Sequence, residues 1–283
     1  MLKIGERKCY CQYDRGVSFE DAVGGLRIYI PTAVGYVNYN LVHTVSAGRN
    51  ADIWRLGKAY WVDDSFDKKK ELTPDGAEWD MALRLEGRCD FVGGFAHGDE
   101  HFSAIKAKKD GVDADIESLV DRVAFDEMQI CVESVGYDPN EPSVAVLKHS
   151  KEYIINAEGV ALLQKVEWLG DYRLCSSYMA MMPPLKTLTD RVYTDVDSEP
   201  RVAIESYGLV AGARSACVYG EESGVRFSMS VPTYPSLVGG DAFLLTDNRG
   251  GRYNKMYFVI CNGADVKAGN VWQTETRYSI DVN

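Results

Sequence analysis

The stretch Phe91-Val92-Gly93-Gly94-Phe95-Ala96-His97-Gly98-Asp99-Glu100-His101 gathers two histidines, two acids and three glycines into one turn-forming run. Ionisable groups concentrated in a glycine-rich loop can converge on a site while rigid strands hold them in place. His97 and Glu100 stand in an H-x-x-E relation, and such a pair can supply two zinc ligands if another histidine joins it. The remaining histidines are His43, His101 and His149, and His149 is the candidate for that third place. Without metal, His97 and Glu100 would serve as proton-transfer groups, and this metal-free role is the one favoured for His97. A competing explanation is structural: the glycines permit a tight turn, the acids accept backbone N–H groups, and the histidines are merely exposed.

The H-x-x-E pair resembles the first zinc motif of the carboxypeptidase and aminoacylase family, which implies zinc held by His97, Glu100 and His149. That family follows its motif with a helix inside an α/β sheet, whereas Phe102-Ser103-Ala104-Ile105-Lys106 has the pattern of a strand. His97 to His101 also matches the H-x-x-E-H string of inverted zinc peptidases, which requires a helix that three glycines disfavour.

A second set of residues lies at 35–45 and 51–63, two aromatic and β-branched runs separated by a turn at Ser46 to Asn50. They form a predicted hairpin. Tyr39 and His43 fall on one face and Tyr36, Asn38 and Asn40 on the other; on the next strand Asp52, Trp54, Lys58 and Tyr60 share one face, and Arg55 and Trp61 the other. Aromatic rings interleaved with Asn, Arg, Lys and His suit a sugar-binding groove, because sugar C–H faces stack on rings while hydroxyls need polar partners. The alternative for each ring is a place in the core.

Near the end of the chain, Val266-Lys267-Ala268-Gly269-Asn270-Val271-Trp272-Gln273 is similar to the K-A-G-x-Y-x-Q string of alginate-lyase-type jelly rolls, with Lys267, Ala268, Gly269 and Gln273 matching. The family's other two signatures, an R-T-E-L-R-like and a Q-I-H-like strand, are absent in those forms. The resemblance implies a concanavalin-type jelly roll acting on or binding polysaccharide without a cofactor. A lyase needs a cation or amide against a uronate carboxylate and a His or Tyr base beside it. His97, Tyr39, His43, Arg55 and Lys148 have the right chemistry. A phage tail or fibre module that binds a host cell-surface glycan without catalysis, as a homo-oligomer made in the cytoplasm and carried on a virion, fits the same features.

The elements that must position these groups are strands. Alternation is plain in Trp79 to Glu86, in 127–133 and in the closing segment, where Trp272, Tyr278 and Ile280 should be buried and Glu275, Arg277 and Asp281 wet. Further strands are expected at 143–148, 152–156, 160–169, 173–182, 201–206, 225–231 and 255–261. Only Asp113 to Val123, with Ile116, Leu119, Val120 and Val123 at helical spacing, predicts a short helix. The pattern is that of an all-β, two-sheet, jelly-roll-like sandwich, with residues 1–283 as one domain. Thirty-one basic residues against 42 acidic ones give a net charge of -11, which disfavours nucleic acid as a partner. The Lys68-Lys69-Lys70 run is expected to be a solvated loop. Seven cysteines lack a C-x-x-C rhythm, and Cys131, Cys175 and Cys261 sit in apolar strand patterns, which suits free thiols in a reducing compartment. No apolar leader or bilayer-length stretch is present, so neither classical secretion nor membrane insertion is expected.

Overall fold

Side chains alternate between faces along a strand, so a two-residue period of large apolar groups buries one face of each strand and wets the other. The computed structural model describes residues 7–16, 21–74, 79, 81–203, 206–234, 242–247, 251–259 and 263–283, with backbone alone at 206–207 and 242–247. The first strands are β1 (Cys9–Asp14), β2 (Ala22–Thr32), β3 (Gly35–Ser46), β4 (Ala51–Val62), β5 (Lys69–Glu71) and β6 (Ala82–Leu85). Then come β7 (Glu100–Lys109), β8 (Val112–Ala114), β9 (Val123–Phe125), β10 (Met128–Asp138), β11 (Glu141–Asn156), β12 (Gly159–Trp168) and β13 (Tyr172–Met182). Shorter strands follow as β14 (Arg191–Thr194), β15 (Arg201–Val202), β16 (Ser206–Ala211) and β17 (Ser215–Tyr219). The remainder are β18 (Val225–Thr233), β19 (Ala242–Asp247), β20 (Asn254–Val259), β21 (Asp265–Val266) and β22 (Val271–Val282).

One hydrogen-bonded sheet runs β15-β14-β17-β18-β22-β12-β11-β10-β7-β4-β3-β2-β1-β9, and a smaller one runs β16-β19-β20-β13-β21 with β6 also on β13. The larger sheet turns a corner between β7 and β4, which meet in parallel over only Ala51↔Glu100 and Asp52↔His101. Beyond that corner, β4 to β1 fold back over the rest, and Leu72, bonded to both Ala59 and Leu185, bridges this flap to the smaller sheet. The product is a β-sandwich. Trp79 pins its centre: its indole N–H donates to the Gly57 carbonyl at 2.5 Å, its own carbonyl accepts from the Tyr278 hydroxyl at 2.7 Å, and its ring meets Tyr39 and Tyr278 edge-on.

The expected hairpin is β3 and β4, and the closing strand is β22, where Trp272, Tyr278 and Ile280 are buried while Arg277 and Asp281 are exposed and Glu275 is half-buried. The expected strands at 143–148 and 152–156 are one continuous strand, β11, because Ser150 and Lys151 pair with both neighbours without interruption. Lys69 and Lys70 belong to β5, an exposed edge strand on β4, and not to a loop.

No helix spans Asp113–Val123. The segment holds β8 and a single 3-10 turn at Ile116–Ser118, capped by Asp115, whose side chain accepts from the Glu117 N–H. Ile116 is buried and Val120 is exposed, so the apolar residues do not form one buried stripe, and pairing of Val123–Phe125 with β1 draws the chain into a strand.

Cys131 is half-buried, as its strand pattern implies, but Cys175 is exposed on β13, where the register shifts between Leu174 and Ser176. Cys261 lies outside the described residues. Burial pushes the thiols of Cys9 and Cys11 up to about 12 and about 11. A thiol reacts as its thiolate, so native alkylation followed by mass spectrometry should label Cys89 and Cys175 and leave Cys9 and Cys11 unmodified until the chain unfolds.

Candidate functional site: an aromatic strip on the smaller sheet

The glycine-rich loop turns back on itself before entering β7, and Gly98 is the residue that allows it. Its φ is +81°, and a side-chain carbon there would lie 1.8 Å from the Arg49 carbonyl oxygen. The close approach is used, since the neighbouring Asp99 N–H donates to that oxygen at 3.0 Å. Asp99 is itself left-handed at φ 53°. The reversal sends the two residues of the H-x-x-E pair in opposite directions.

Glu100 points inward and is 1% exposed. Its Oε1 lies 2.5 Å from the Ser134 hydroxyl, 3.0 Å from His149 Nδ1 and 3.6 Å from Lys151 Nζ, and the Gly94 N–H donates to Oε2 at 3.3 Å. Burial alone would raise the pH at which it ionises, but the Lys151 charge, then His149 and Ser134, hold the carboxyl well below the usual carboxylate range. Lys151 Nζ also donates to the Trp54 carbonyl at 2.9 Å. His149 Nε2 is 3.3 Å from Gln164 Oε1, and Gln164 donates to the Met179 carbonyl at 2.7 Å. All five side chains are 3% exposed or less, so this network is a polar staple through the sandwich.

His97 points outward, with Nδ1 2.9 Å from Asp90 Oδ1. Thus Glu100 and His149 meet, while His97 takes a different partner, and the three do not assemble as zinc ligands. Among the described residues no group of three or more His, Cys, Asp or Glu side chains could hold a metal ion.

The hairpin residues divide differently from the expected faces. Tyr39 pairs with Ala59 and Leu41 with Leu56, so a bulge of two residues, Gly57 and Lys58, stands opposite Asn40. It moves Lys58 and Tyr60 to the side of Arg55, away from Trp54. Tyr39 and Trp54 join the core, and burial pushes the Tyr39 hydroxyl far above its ordinary range. Asn38, Asn40, Arg55 and Lys58 are 7% exposed or less, with Lys58 bonded to Glu71 at 2.7 Å and the Arg55 guanidinium 4.5 Å from the Phe95 ring centre. Tyr60 is half-buried under Lys58 and Lys69. His43 sits at the rim, its Nε2 2.7 Å from Asp52 Oδ1 and its ring stacked on Trp54. Lys148 is exposed on β11, 3.4 Å from Glu167.

The lyase-like string forms the turn into β22: Lys267 pairs with Asp171 at 3.0 Å, and the Ala268 N–H donates to the same carboxylate. Gln273 borders a cavity of about 490 Å³ on the solvent face of the larger sheet, with Glu133, Glu152, Lys165 and Glu275.

One accessible surface combines His97 with rings. His97 lies 4.5 Å from Phe91, Phe91 is stacked 5.8 Å from Tyr178 at 22°, and Tyr178 is 4.5 Å from Tyr257. Phe91, Tyr178 and Tyr257 are half-buried, whereas Met179, Met256 and Phe258, their inward-facing neighbours, are buried. Four rings therefore run across the outer face of β13 and β20. Arg84 on β6 stands 5.7 Å from the Phe91 ring centre and Lys255 stands 5.6 Å from that of Tyr257. Alternation along β13 and β20 could have flagged Tyr178 and Tyr257 individually, but only the sheet register joins them to the loop.

No protein-family model matches the chain, and no curated protein matches it. Among solved structures, a galactose mutarotase-like protein from Clostridium acetobutylicum matches at TM-score 0.47 and 11% identity, covering 98% of this chain and 99% of that one. The galactosidase domain of the alpha-galactosidase-sucrose kinase AgaSK gives 0.48 and 10%, covering 89% of this chain. The GH36 alpha-galactosidase AgaA from Geobacillus stearothermophilus gives 0.44 and 11%, covering 91%. This chain spans 40% of each galactosidase chain. None of the three is described as a polysaccharide lyase, and at these scores the likeness carries no argument about ligand or chemistry.

Removing one member of a buried ion pair leaves an uncompensated charge, so Glu100→Ala should destabilise the fold by about 3–5 kcal/mol in urea melts. His97→Ala should change stability by only a few tenths of a kcal/mol, as surface substitutions do. Because the folded Glu100 carboxyl titrates below its unfolded counterpart, its stabilisation is complete above the usual glutamate range and is lost as pH falls below ~4.3. The urea midpoint should accordingly drop more steeply on acidification in the wild type than in Glu100→Gln.

Proposed function

We propose that the chain is a glycan-binding β-sandwich that holds a sugar chain against the outer face of its smaller sheet. The observation that carries this reading is the run of His97, Phe91, Tyr178 and Tyr257. Rings half-exposed in a row are not needed to fill the core, which Met179, Met256 and Phe258 occupy from the other side of the same strands. The rings overlap one another, so the strip presents a row of ring edges for a sugar's C–H groups, and the polar ends of Tyr178, Tyr257 and His97 lie beside them to meet hydroxyls. Asp90 fixes the His97 ring by its hydrogen bond, and Ser176 adds a hydroxyl on β13 opposite Arg84. Glu100 and His149 take no part, being sealed from solvent.

Phe91→Ala and Tyr178→Ala should each weaken glycan binding by about tenfold, equivalent to ~1.4 kcal/mol. The check is affinity electrophoresis through polysaccharide-loaded gels, with thermal melts confirming an intact fold. A folded double variant that migrates like the wild type in every gel that retards the wild type would refute the assignment.

A further inference from the structure

Resting on the glycan-binding reading, the charges that flank the strip define the class of sugar. We infer that its ligand is an acidic glycan whose uronate carboxylates are met by Arg84 at the Phe91 end and Lys255 at the Tyr257 end. Arg84 projects from the outer face of β6, on the residue paired with Ser176 of β13, two residues before Tyr178. Lys255 projects from the same face of β20 as Tyr257, two residues before it. Both cations lie over rings, within 5.7 Å and 5.6 Å of the Phe91 and Tyr257 centres. Among the described residues the contacts recorded for them are these rings and no carboxylate, in a chain that carries 42 acidic residues to 31 basic ones. The acid beside the strip, Asp90, is engaged by His97.

The pattern is specific in its chemistry. An arginine fork matches a carboxylate with two parallel N–H donors, and lysine adds a compact charge, so carboxylates spaced along a chain can be held while its sugars lie along the ring strip. A neutral glycan would leave both cations without a counter-charge. The rings supply affinity that is independent of ligand charge, and the two cations supply discrimination.

The experiment compares oligogalacturonate with its fully methyl-esterified counterpart by calorimetric titration, at low and high salt. The wild type should bind the acid about tenfold more tightly than the ester, with the difference shrinking as salt rises. The double substitution Arg84→Gln, Lys255→Gln should bind both probes with the ester's affinity and melt like the wild type. Equal binding of acid and ester by the wild type, or a preference that survives the double substitution, would overturn the acidic-glycan inference and leave the glycan-binding strip standing. Binding of either probe that is undiminished in the Phe91→Ala, Tyr178→Ala variant, or no binding of either, would overturn the strip and the inference with it.

Discussion

A carboxylate, an ammonium and an imidazole share the interior of this sandwich. Taking each charge out of water costs several kcal/mol, which is recovered only when geometry and further hydrogen bonds satisfy what the pair leaves over. Here the surroundings do so. Glu100 receives Ser134, His149 and the Gly94 N–H; Lys151 reaches the Trp54 carbonyl; Gln164 carries the chain of contacts to Met179. Through these bonds β4, β7, β10, β11, β12 and β13 are tied at one point. Once every member is satisfied, such a network of directed bonds favours one arrangement of the strands it joins.

That constraint shapes the accessible surface. The corner between β4 and β7 rests on two residue pairs, and Glu100 is a member of one of them. Fixing Glu100 inward, with Gly98 and Asp99 left-handed just before it, leaves His97 half-exposed beside Phe91, next to the smaller sheet. Rigid interior and exposed rings are thus two ends of one loop.

Strands with plain alternation were legible because alternation is a local property: β10, β12 and β22 follow their apolar period residue by residue, whereas β1, β2, β14 and β17 were not anticipated. What was not legible depended on register. The bulge at Gly57 and Lys58 exchanges the faces of half the hairpin; the isolated Gly57 is the sequence signal for it, which an unbroken two-residue period over 51–63 passes over. The H-x-x-E spacing suggested convergence, but two consecutive left-handed residues reverse the chain between His97 and Glu100. Glu100 and His149 did meet as their chemistry suggested, at a depth that spacing could not reveal. The strip joins segments near 91, 178 and 257, and such separation leaves no sequence pattern to read.

The position of β22 has a kinetic consequence. It lies between β12 and β18 in the middle of the larger sheet, pairing Val160 with Tyr278 and Val225 with Val282. During synthesis the earlier strands can form their local hairpins, but the facing edges of β12 and β18 have no partner until residues 271–282 emerge. Two unpaired edges beside an apolar face invite pairing with other chains, and closure by so distant a segment is slow. The sandwich therefore completes itself late, and its assembly depends on keeping that central slot open until the last strand fills it.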